Sequence, residues 1–437
     1  MNYYAIPERT GAGSRAVSGD GSSGLRIPFA LVFAALTFNF FLCFVHTNFF
    51  AVSRAHVVAA EALIIGLTYV AAYKSIGHSA MAVICGVVSY LLIVSLFRSL
   101  NTAAEFDVKT VRDFMIPVAF FLLGTTSRNL IKVDSMVRIA AVIVTAVAVF
   151  EYFFLDTYLR FFNIIEYYVS RGSVDREEID WLSVNLFVSG IRPEGRTLFP
   201  FLGDHRVSSI FLEPVSPGNF SVTLFFWALV RSYFEKRLYL GLFVMAIFLT
   251  IMADNRFGAF MAVVALGMVL LPNQFLRMSM FWLPFVAIFC LIGIGLANPD
   301  TPYDNSLWGR LLSSGQTLVS LNIWNWFGVG PTIEDWDSGY TYSISRIGII
   351  GFVAFWGIFM TLRSASAQFH MFRAFCALYF AAILCVSYSP YTIKTAGLLW
   401  FLLGALFVAG SAVQTPVVAV PASRLAVRQD LETISSR

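Results

Sequence analysis

The sequence predicts an all-α protein that crosses a membrane many times. Of its 437 residues, 58% are apolar and 13% are charged, and the charged fraction is about half that of an ordinary soluble domain. The 44 Phe and nine Trp residues carry more apolar surface than one core surrounded by water can enclose. The mean hydropathy is +0.74. This composition excludes a soluble enzyme, a disordered chain and a small disulfide-rich scaffold.

Apolar runs of about 20 residues, the length that crosses a hydrocarbon core, define the predicted spans. The first run follows a polar segment and lacks an Ala-x-Ala cleavage site after it, so we interpret it as an uncleaved span. Residues 1–26 are predicted to be a disordered tail and residues 412–437 a second polar tail. The twelve predicted spans lie near residues 27–49, 56–73, 79–97, 112–126, 136–154, 214–232, 238–254, 257–271, 280–296, 345–362, 370–388 and 395–411.

The distribution of Lys and Arg predicts the orientation of these spans, because cytoplasmic loops of membrane proteins carry an excess of both residues. With the N-terminus in the cytoplasm, the cytoplasmic segments hold 16 of the 30 basic residues and only six of the 26 acidic ones. Both tails are therefore predicted to be cytoplasmic. The net charge of +4 is spread along the chain without a basic tract, so we expect no nucleic-acid partner.

Two long loops then fall on the outer side, at residues 155–213 and 297–344. Loops longer than about 15 residues are usually functional or disordered. Both loops are rich in aromatic residues, Arg and Asp, which is not a disordered composition. The first opens with a predicted amphipathic helix over residues 155–169 that would lie in the membrane interface. The outer loops are therefore predicted to be structured and to carry the chemistry.

Charged residues at the outer ends of the spans are the first candidates for a site, because charge at a membrane is costly without a function or a partner. Arg206 and Glu213 enter the membrane at the start of the sixth span, preceded by Arg192 and Arg196. The alternative is that Arg206 and Glu213 form a buried ion pair that holds the start of this helix.

A second candidate group is the outer turn Asp254–Arg256 between the seventh and eighth spans. The alternative for Arg256 is a contact with lipid headgroups. A third group is Trp308–Arg310, early in the second loop. The Gly-rich turn that follows it, Gly328–Pro331, lacks the Lys of a phosphate-binding loop and is interpreted as a re-entrant bend.

The fourth group is the acidic stretch Glu334–Asp337, which runs through Tyr340 into the tenth span. Asp337 stands just before an aromatic segment and is placed at the membrane interface by this pattern. A solvated acidic loop is the alternative for this stretch.

These residue types point to one chemistry. Arginine presents a planar fork that suits phosphate and pyrophosphate and stays charged when it is desolvated. A carboxylate can act as a general base on a hydroxyl group, and aromatic side chains can pack against sugar rings. No cluster with metal-ligand spacing stands out, and arginines can stabilise charge in place of a cation. We therefore predict metal-independent glycosyl transfer from a lipid pyrophosphate, without a cofactor.

At these residues the chain resembles the O-antigen ligase and polymerase superfamily, the Wzy-type membrane glycosyltransferases. The resemblance extends from roughly residue 30 to residue 410 and rests on the order and spacing of weak motifs. Lys109–Pro117 looks like the family's approach to its fourth span, and Asp254–Ala259 is similar to a turn that carries an essential arginine. Phe327–Pro331, Asp337–Tyr340 and Gly348–Gly351 look like the C-terminal family motifs.

One departure favours the polymerase branch of the family. The ligases carry a histidine where this sequence has Asp337, and the five histidines lie elsewhere. His205, in the first loop, stays open as a substitute. The run Arg206–Pro214 also resembles exopolysaccharide polymerases of the xanthan type.

The resemblance implies a GT-C-like fold in which residues 27–411 form one catalytic domain in a bacterial inner membrane. The implied reaction joins oligosaccharide units carried on undecaprenyl pyrophosphate at the periplasmic face, with chain-length-regulating and export proteins as partners. Arg256, Arg310 and Arg206 would hold the pyrophosphate, and Glu213 or Asp337 would be the base. The remaining residues assigned to substrate contacts are Arg192, Arg196, His205, Trp308 and Tyr340.

Two other functions stay open from the sequence. A ligase would move finished glycan to lipid A or protein, and differs only in its acceptor. A secondary transporter or flippase would also have twelve spans, but the two halves look unrelated and the deep membrane positions are nearly free of charge. Glu61 is the main exception, either as a proton-relay group or as a structural hydrogen-bonding partner of a neighbouring helix.

Overall fold

The chain folds into a bundle of helices joined by turns and short irregular segments. The computed structural model describes residues 26–175, 185–192, 195–271, 273–304, 306–333 and 337–409. Within these ranges there is no β-strand, and one isolated bridge joins Ile191 to His205. The predicted tails, 1–26 and 412–437, lie outside the described residues except for Arg26.

The helices follow the predicted spans closely, and each predicted span overlaps one of them. The first ten are α1 Arg26–Asn48, α2 Arg54–Ala72, α3 His78–Thr102, α4 Val108–Thr125, α5 Leu130–Phe153, α6 Leu155–Phe161, α7 Ile164–Ser170, α8 Val215–Glu235, α9 Leu240–Met252 and α10 Arg256–Val269. The others are α11 Asn273–Ala297, α12 Leu307–Val319, α13 Ile323–Trp326, α14 Gly339–Thr361, α15 Ala367–Ile383 and α16 Ile393–Ala409.

Six of the described helices are long and apolar enough to cross a membrane, as expected for a helical membrane protein. Four more are apolar but shorter. The two remaining predicted spans, α4 and α8, carry charged residues near their ends. Helices α2, α3 and α11 expose apolar side chains such as Leu63, Leu96 and Phe289, which suits a lipid surrounding. The number of twelve crossings stays a prediction.

Helices α8 and α16 form the centre of the bundle. Every residue from Ser216 to Arg231 and from Ile393 to Leu406 is buried. Helix α16 also packs closely on α4, where a Cβ atom added to Gly404 would lie 2.0 Å from the carbonyl oxygen of Phe121. Only glycine permits this approach, which is typical of helices packed in a membrane.

The bundle has two distinct ends. At the end that carries both long loops, called the loop end here, Asn219 donates to Ser389 over 3.1 Å. At the opposite end, Ser75 and Thr125 are 3.3 Å apart. The opposite end carries most of the basic residues that are predicted to be cytoplasmic and that the structure describes.

Several predicted boundaries need correction. The interfacial helix predicted over 155–169 is two helices, because the Asn163 side chain accepts a hydrogen bond from the backbone N–H of Glu166 and starts α7. The fourth span begins at Val108 rather than at residue 112, since Asp107 caps α4. The tenth begins at Gly339 instead of residue 345, capped by Ser338. Part of the predicted second loop is therefore helical.

Candidate functional site

Three arginines and one aspartate lie together where the first long loop packs on the turn between α9 and α10. With Arg310 they are called the arginine cluster: Arg192, Arg196, Arg206, Asp254 and Arg310. The loop is fixed there by backbone bonds: Arg206 donates to Gly190 over 2.8 Å, and Val207 donates to Met252 over 3.0 Å.

Asp254 is the central carboxylate of this cluster. It is 1% exposed, and its φ angle of +47° makes the turn between the two helices tight. One carboxylate oxygen accepts hydrogen bonds from the backbone N–H groups of Thr197 (3.1 Å) and Leu198 (2.8 Å). The other lies 2.9 Å from Arg192. Asp254 therefore both holds the loop and neutralises one guanidinium group.

The two other loop arginines are buried against the end of α9. Arg196 donates to the carbonyl oxygens of Ile251 (2.6 Å) and Met252. Arg206 donates to Ala253 over 3.0 Å and to a loop carbonyl over 3.1 Å. Carbonyl groups at a helix C-terminus carry partial negative charge and suit cations, but they do not neutralise them.

Two nitrogens of Arg196, Nε and Nη1, are buried without a hydrogen-bond partner among the described residues. A buried donor left without a partner is costly, more so on a charged group.

Counted over the described residues, the cluster sets four guanidinium groups against one carboxylate, Asp254. Burial and, after it, the positive charge of Arg192 lower the pKa of Arg206 to about 9, and Arg310 and Arg196 act in the same direction. Asp254 opposes this effect. Burial also lowers the pKa of Arg196. Arginine side chains stay charged in proteins, and an anion bound beside these two would offset the repulsion.

Helix α12 links the arginine cluster to Asp337. The Arg310 guanidinium lies 3.3 Å from the Asp337 carboxylate, which also accepts a hydrogen bond of 2.8 Å from the Tyr303 hydroxyl. Ser314 donates to the backbone carbonyl of Asp337 over 2.8 Å. The Asp337 side chain is 19% exposed and the Arg310 side chain 34%. The residues 334–336 that precede Asp337 lie outside the described part.

Arg256 is the first residue of α10 and is exposed at the loop end. It makes no hydrogen bond or ion pair with the described residues. The preceding Asn255 caps the helix by accepting a hydrogen bond from the Gly258 N–H over 3.1 Å. Arg256 thus follows the buried Asp254 by two residues and has an exposed side chain.

Glu213 belongs to a separate group of charges, and the predicted alternative of an Arg206–Glu213 ion pair is wrong. Its carboxylate lies 2.7 Å from the ammonium group of Lys394 on α16 and accepts a hydrogen bond of 2.6 Å from Ser216. Burial raises the pKa of Glu213, but Lys394, Ser216 and Arg171 outweigh that effect and lower it. The Arg171 guanidinium lies near the same group.

A second set of ion pairs continues this group between α2 and α4. Arg112 lies 2.5 Å from Glu61 and 2.7 Å from Asp113. Glu61 is also close enough for electrostatic interaction with Arg171 and Lys394. Glu61 is thus paired with a residue of a neighbouring helix, as the alternative of a structural role for Glu61 predicts. We call the following residues the balanced cluster: Glu61, Arg112, Asp113, Arg171, Glu213 and Lys394.

Three further predicted site residues are not members of either cluster. His205 is 3.1 Å from the fully buried Glu151, which also accepts hydrogen bonds from the backbone N–H groups of Ser208 and Ser209. Trp308 is 53% exposed on α12.

Tyr340 is wrongly placed among the substrate contacts. Its ring is fully buried, and its hydroxyl donates to the Ala381 carbonyl over 2.8 Å. It packs in the core between α14 and α15.

The sequence analysis missed four members of the balanced cluster: Arg112, Asp113, Arg171 and Lys394. The signal for Lys394 was available, because it is the one charged residue in the apolar run of α16 and charge inside a span is rarely without a partner. Arg112 and Asp113 are the first two residues of the predicted span 112–126 and resemble an ordinary polar helix start. Their partner could not be identified from spacing along the chain.

Comparison with known proteins identifies no relative of this chain. A scan against models of protein families finds no match, and neither do searches of curated proteins and of solved structures. In the described part of the chain no three His, Cys, Asp or Glu residues are grouped so that they could hold a metal ion.

Proposed function

We propose that this protein is a membrane glycosyltransferase that polymerises lipid-linked oligosaccharide units. The observation that carries the proposal is that Arg196 and Arg206 are buried and donate to backbone carbonyls, with Asp254 as the one carboxylate of the arginine cluster among the described residues. Arginines that are buried yet not neutralised suit a doubly charged phosphate ligand. The cluster adjoins an exposed arginine, Arg256, and a carboxylate, Asp337, as transfer from a pyrophosphate carrier requires.

In this proposal the donor is a glycan on undecaprenyl pyrophosphate and the acceptor is the next lipid-linked unit. The bond between the anomeric carbon and the pyrophosphate oxygen breaks, and that carbon forms a bond with the acceptor oxygen. The acceptor proton passes to a carboxylate. The bonding electron pair leaves on undecaprenyl pyrophosphate, whose charge the arginines stabilise.

Asp337 is the better placed of the two candidate bases. Arg310 lies 3.3 Å from it and also acts electrostatically on Arg206, so Asp337 adjoins the pyrophosphate end of the site. Lys394 and Ser216 lower the pKa of Glu213, which makes it a weaker base. We assign Arg256 and Arg310 to the pyrophosphate and Arg206 to the stabilisation of its charge.

The remaining features of the proposal follow from the resemblance described above. They are a GT-C-like arrangement of twelve spans in a bacterial inner membrane, both tails in the cytoplasm, a periplasmic active site and a metal-independent reaction. Chain-length-regulating and export proteins would be its partners. Loss of activity of the purified protein on addition of EDTA would contradict metal independence.

The decisive test is an analysis of lipid-linked glycans in cells that lack this protein. The cells are complemented with the wild type, with Arg256→Ala, or with the control Arg54→Ala, which changes an exposed arginine at the start of α2. We expect single units on the carrier without the protein and with Arg256→Ala, and polymer with the other two. Finished polymer that stays on its carrier would indicate a ligase. Unchanged lipid-linked intermediates in all strains would contradict glycosyl transfer and would favour the secondary transporter or flippase.

A further inference from the structure

A buried carboxylate on α5 holds the part of the first long loop that carries Arg206. Glu151 is fully buried, two residues before the end of α5. Its carboxylate accepts hydrogen bonds from the backbone N–H groups of Ser208 (2.9 Å) and Ser209 (2.5 Å), and it lies 3.1 Å from the Nε2 atom of His205. Glu151 therefore contacts the chain both before and after an arginine of the proposed site, without being a member of the arginine cluster.

The backbone at Ser208 and Ser209 has the geometry of an anion-binding nest. Ser208 has right-handed helical angles (φ −103°, ψ −24°), and Ser209 has a φ angle of +51°. A right-handed residue followed by a left-handed one directs successive N–H groups to one point, where an anion can bind. A positive φ angle is uncommon for serine, and the Ser209 hydroxyl fixes it by donating to the Val144 carbonyl over 2.7 Å. The carboxylate of Glu151 is the anion in this nest.

The nest determines where the Arg206 guanidinium lies. Only Val207 separates Arg206 from the nest, and the backbone N–H of Val207 donates to Met252 over 3.0 Å. The guanidinium itself donates to the carbonyl of Ala253 over 3.0 Å. A shift of the nest would therefore move the guanidinium away from its carbonyl partner at the end of α9. A misplacement of about 1 Å caused far from the reacting atoms can lower a rate by about 100-fold.

We propose that Glu151 is a positioning residue for Arg206. It keeps the nest closed and so holds the guanidinium where the proposed mechanism needs it. The expected effect on activity rests on the proposed function, whereas the hold of Glu151 on the loop does not. A carboxylate with a purely structural role changes the rate through the fraction of folded protein. A positioning residue acts through Arg206, so its effect disappears when Arg206 is replaced.

The first test is amide hydrogen exchange of the purified full chain, measured over residues 205–212. Glu151→Gln keeps the size of the side chain but removes its negative charge and one acceptor oxygen. Exchange in this segment should become about tenfold faster, because the N–H groups of the nest lose their anion and the segment opens more often. The control is Asp134→Asn, since Asp134 is also buried on α5 but binds Arg231 at the opposite end of the bundle. It should leave exchange in residues 205–212 unchanged.

The second test is a double-variant cycle of the polymerisation rate, measured with purified protein and lipid-linked units. Glu151→Gln should lower the rate about tenfold, which is within the range for residues that share one hydrogen-bond network. In the Arg206→Gln background the same substitution should lower the rate less than about twofold, because the residue that Glu151 positions is already absent. Asp134→Asn should give the same fold loss in both backgrounds.

Two results would overturn the inference. They are unchanged exchange over residues 205–212 in Glu151→Gln, and an equal fold loss of rate with and without Arg206. If Glu151→Gln does not fold, His205→Ala is a milder variant, because it removes one contact of the carboxylate and leaves the nest occupied. It should lower the rate about threefold, and only while Arg206 is present. Absence of polymerisation by the wild type would contradict the proposed function, and hydrogen exchange would then decide whether Glu151 holds the loop.

Discussion

The two charge clusters at the loop end differ in how their charges are compensated. The balanced cluster pairs three cations with three carboxylates, and its closest pairs are 2.5 to 2.7 Å apart. In the described part of the chain, the arginine cluster sets four guanidinium groups against two carboxylates, its own Asp254 and the neighbouring Asp337. Backbone carbonyls accept hydrogen bonds from its buried arginines, Arg196 and Arg206, without cancelling their charge. One cluster is complete by itself, whereas the other gains from a bound anion.

This difference separates residues that stabilise the fold from residues that act on a ligand. Removing one member of a buried ion pair leaves an uncompensated charge and is strongly destabilising. Removing one of several repelling arginines relieves repulsion instead. We therefore expect substitutions in the balanced cluster to lower stability first, and substitutions in the arginine cluster to lower activity first.

The largest effect is expected for the proposed base. Asp337→Asn should lower polymer formation by about 100-fold or more, the usual contribution of a general base. The measurement is the rate of polymer formation in membranes, with Asp300→Asn as control because Asp300 is exposed in the same loop. A loss below tenfold would point to Glu213 as the base and would reverse the assignment of the two clusters.

A large loss of stability is expected in the balanced cluster. Lys394→Met leaves Glu213 without its partner and should lower the free energy of unfolding by about 3 kcal/mol, the low end for a broken buried pair. The low end of this energy range applies because the Glu213 side chain is 23% exposed. Thermal unfolding of the detergent-solubilised protein measures this.

The double variant Lys394→Met with Glu213→Gln is the matched control. It should recover more than half of the lost stability, because no charge is then left alone. Equal instability of the single and double variants would mean that Lys394 acts through packing.

A smaller effect on stability and a clear effect on activity are expected for Arg310→Gln. The free energy of unfolding should change by less than about 0.5 kcal/mol, since partly exposed ion pairs contribute little. The rate of polymer formation should fall by about tenfold or more through the lost contact with pyrophosphate. Both are measured on the same membrane preparation. A matching loss of stability would remove the contrast between the clusters.

The sequence predicts most of the fold because apolar runs of membrane length determine the helices. It fails where a polar residue begins a helix. The charged start of α4 looks like a loop, and only the cap at Asp107 and the pairing of Arg112 with Glu61 explain why the helix extends there. The prediction of one continuous interfacial helix over 155–169 was wrong for the same reason, because Asn163 caps the start of a second helix.

The candidate site is less predictable, because its pairs come from distant parts of the chain. Arg206 and Glu213 are close in sequence and of opposite charge, but Ser209 and Leu212 adopt positive φ angles between them. Arg206 consequently contacts the end of α9 and Glu213 contacts Lys394. The charged residues at the outer ends of the predicted spans include members of both clusters, but the sequence does not show which residues belong to which cluster.

Acid pH should change the stability contributed by the balanced cluster and leave that of the arginine cluster unaffected. Lys394 and Ser216 hold the pKa of Glu213 below its ordinary value of 4.5. As pH falls below that value, the unfolded chain takes up the proton first, so the contribution of Glu213 to stability is present above this range and is lost within it. Unfolding temperatures between pH 6 and pH 3 should therefore fall less steeply in Glu213→Gln than in the wild type. Arg310→Gln should keep the wild-type slope, because no carboxylate of the balanced cluster is changed. Equal slopes in the wild type and Glu213→Gln would mean that the Lys394 pair adds no stability, and the two clusters would then differ in charge alone.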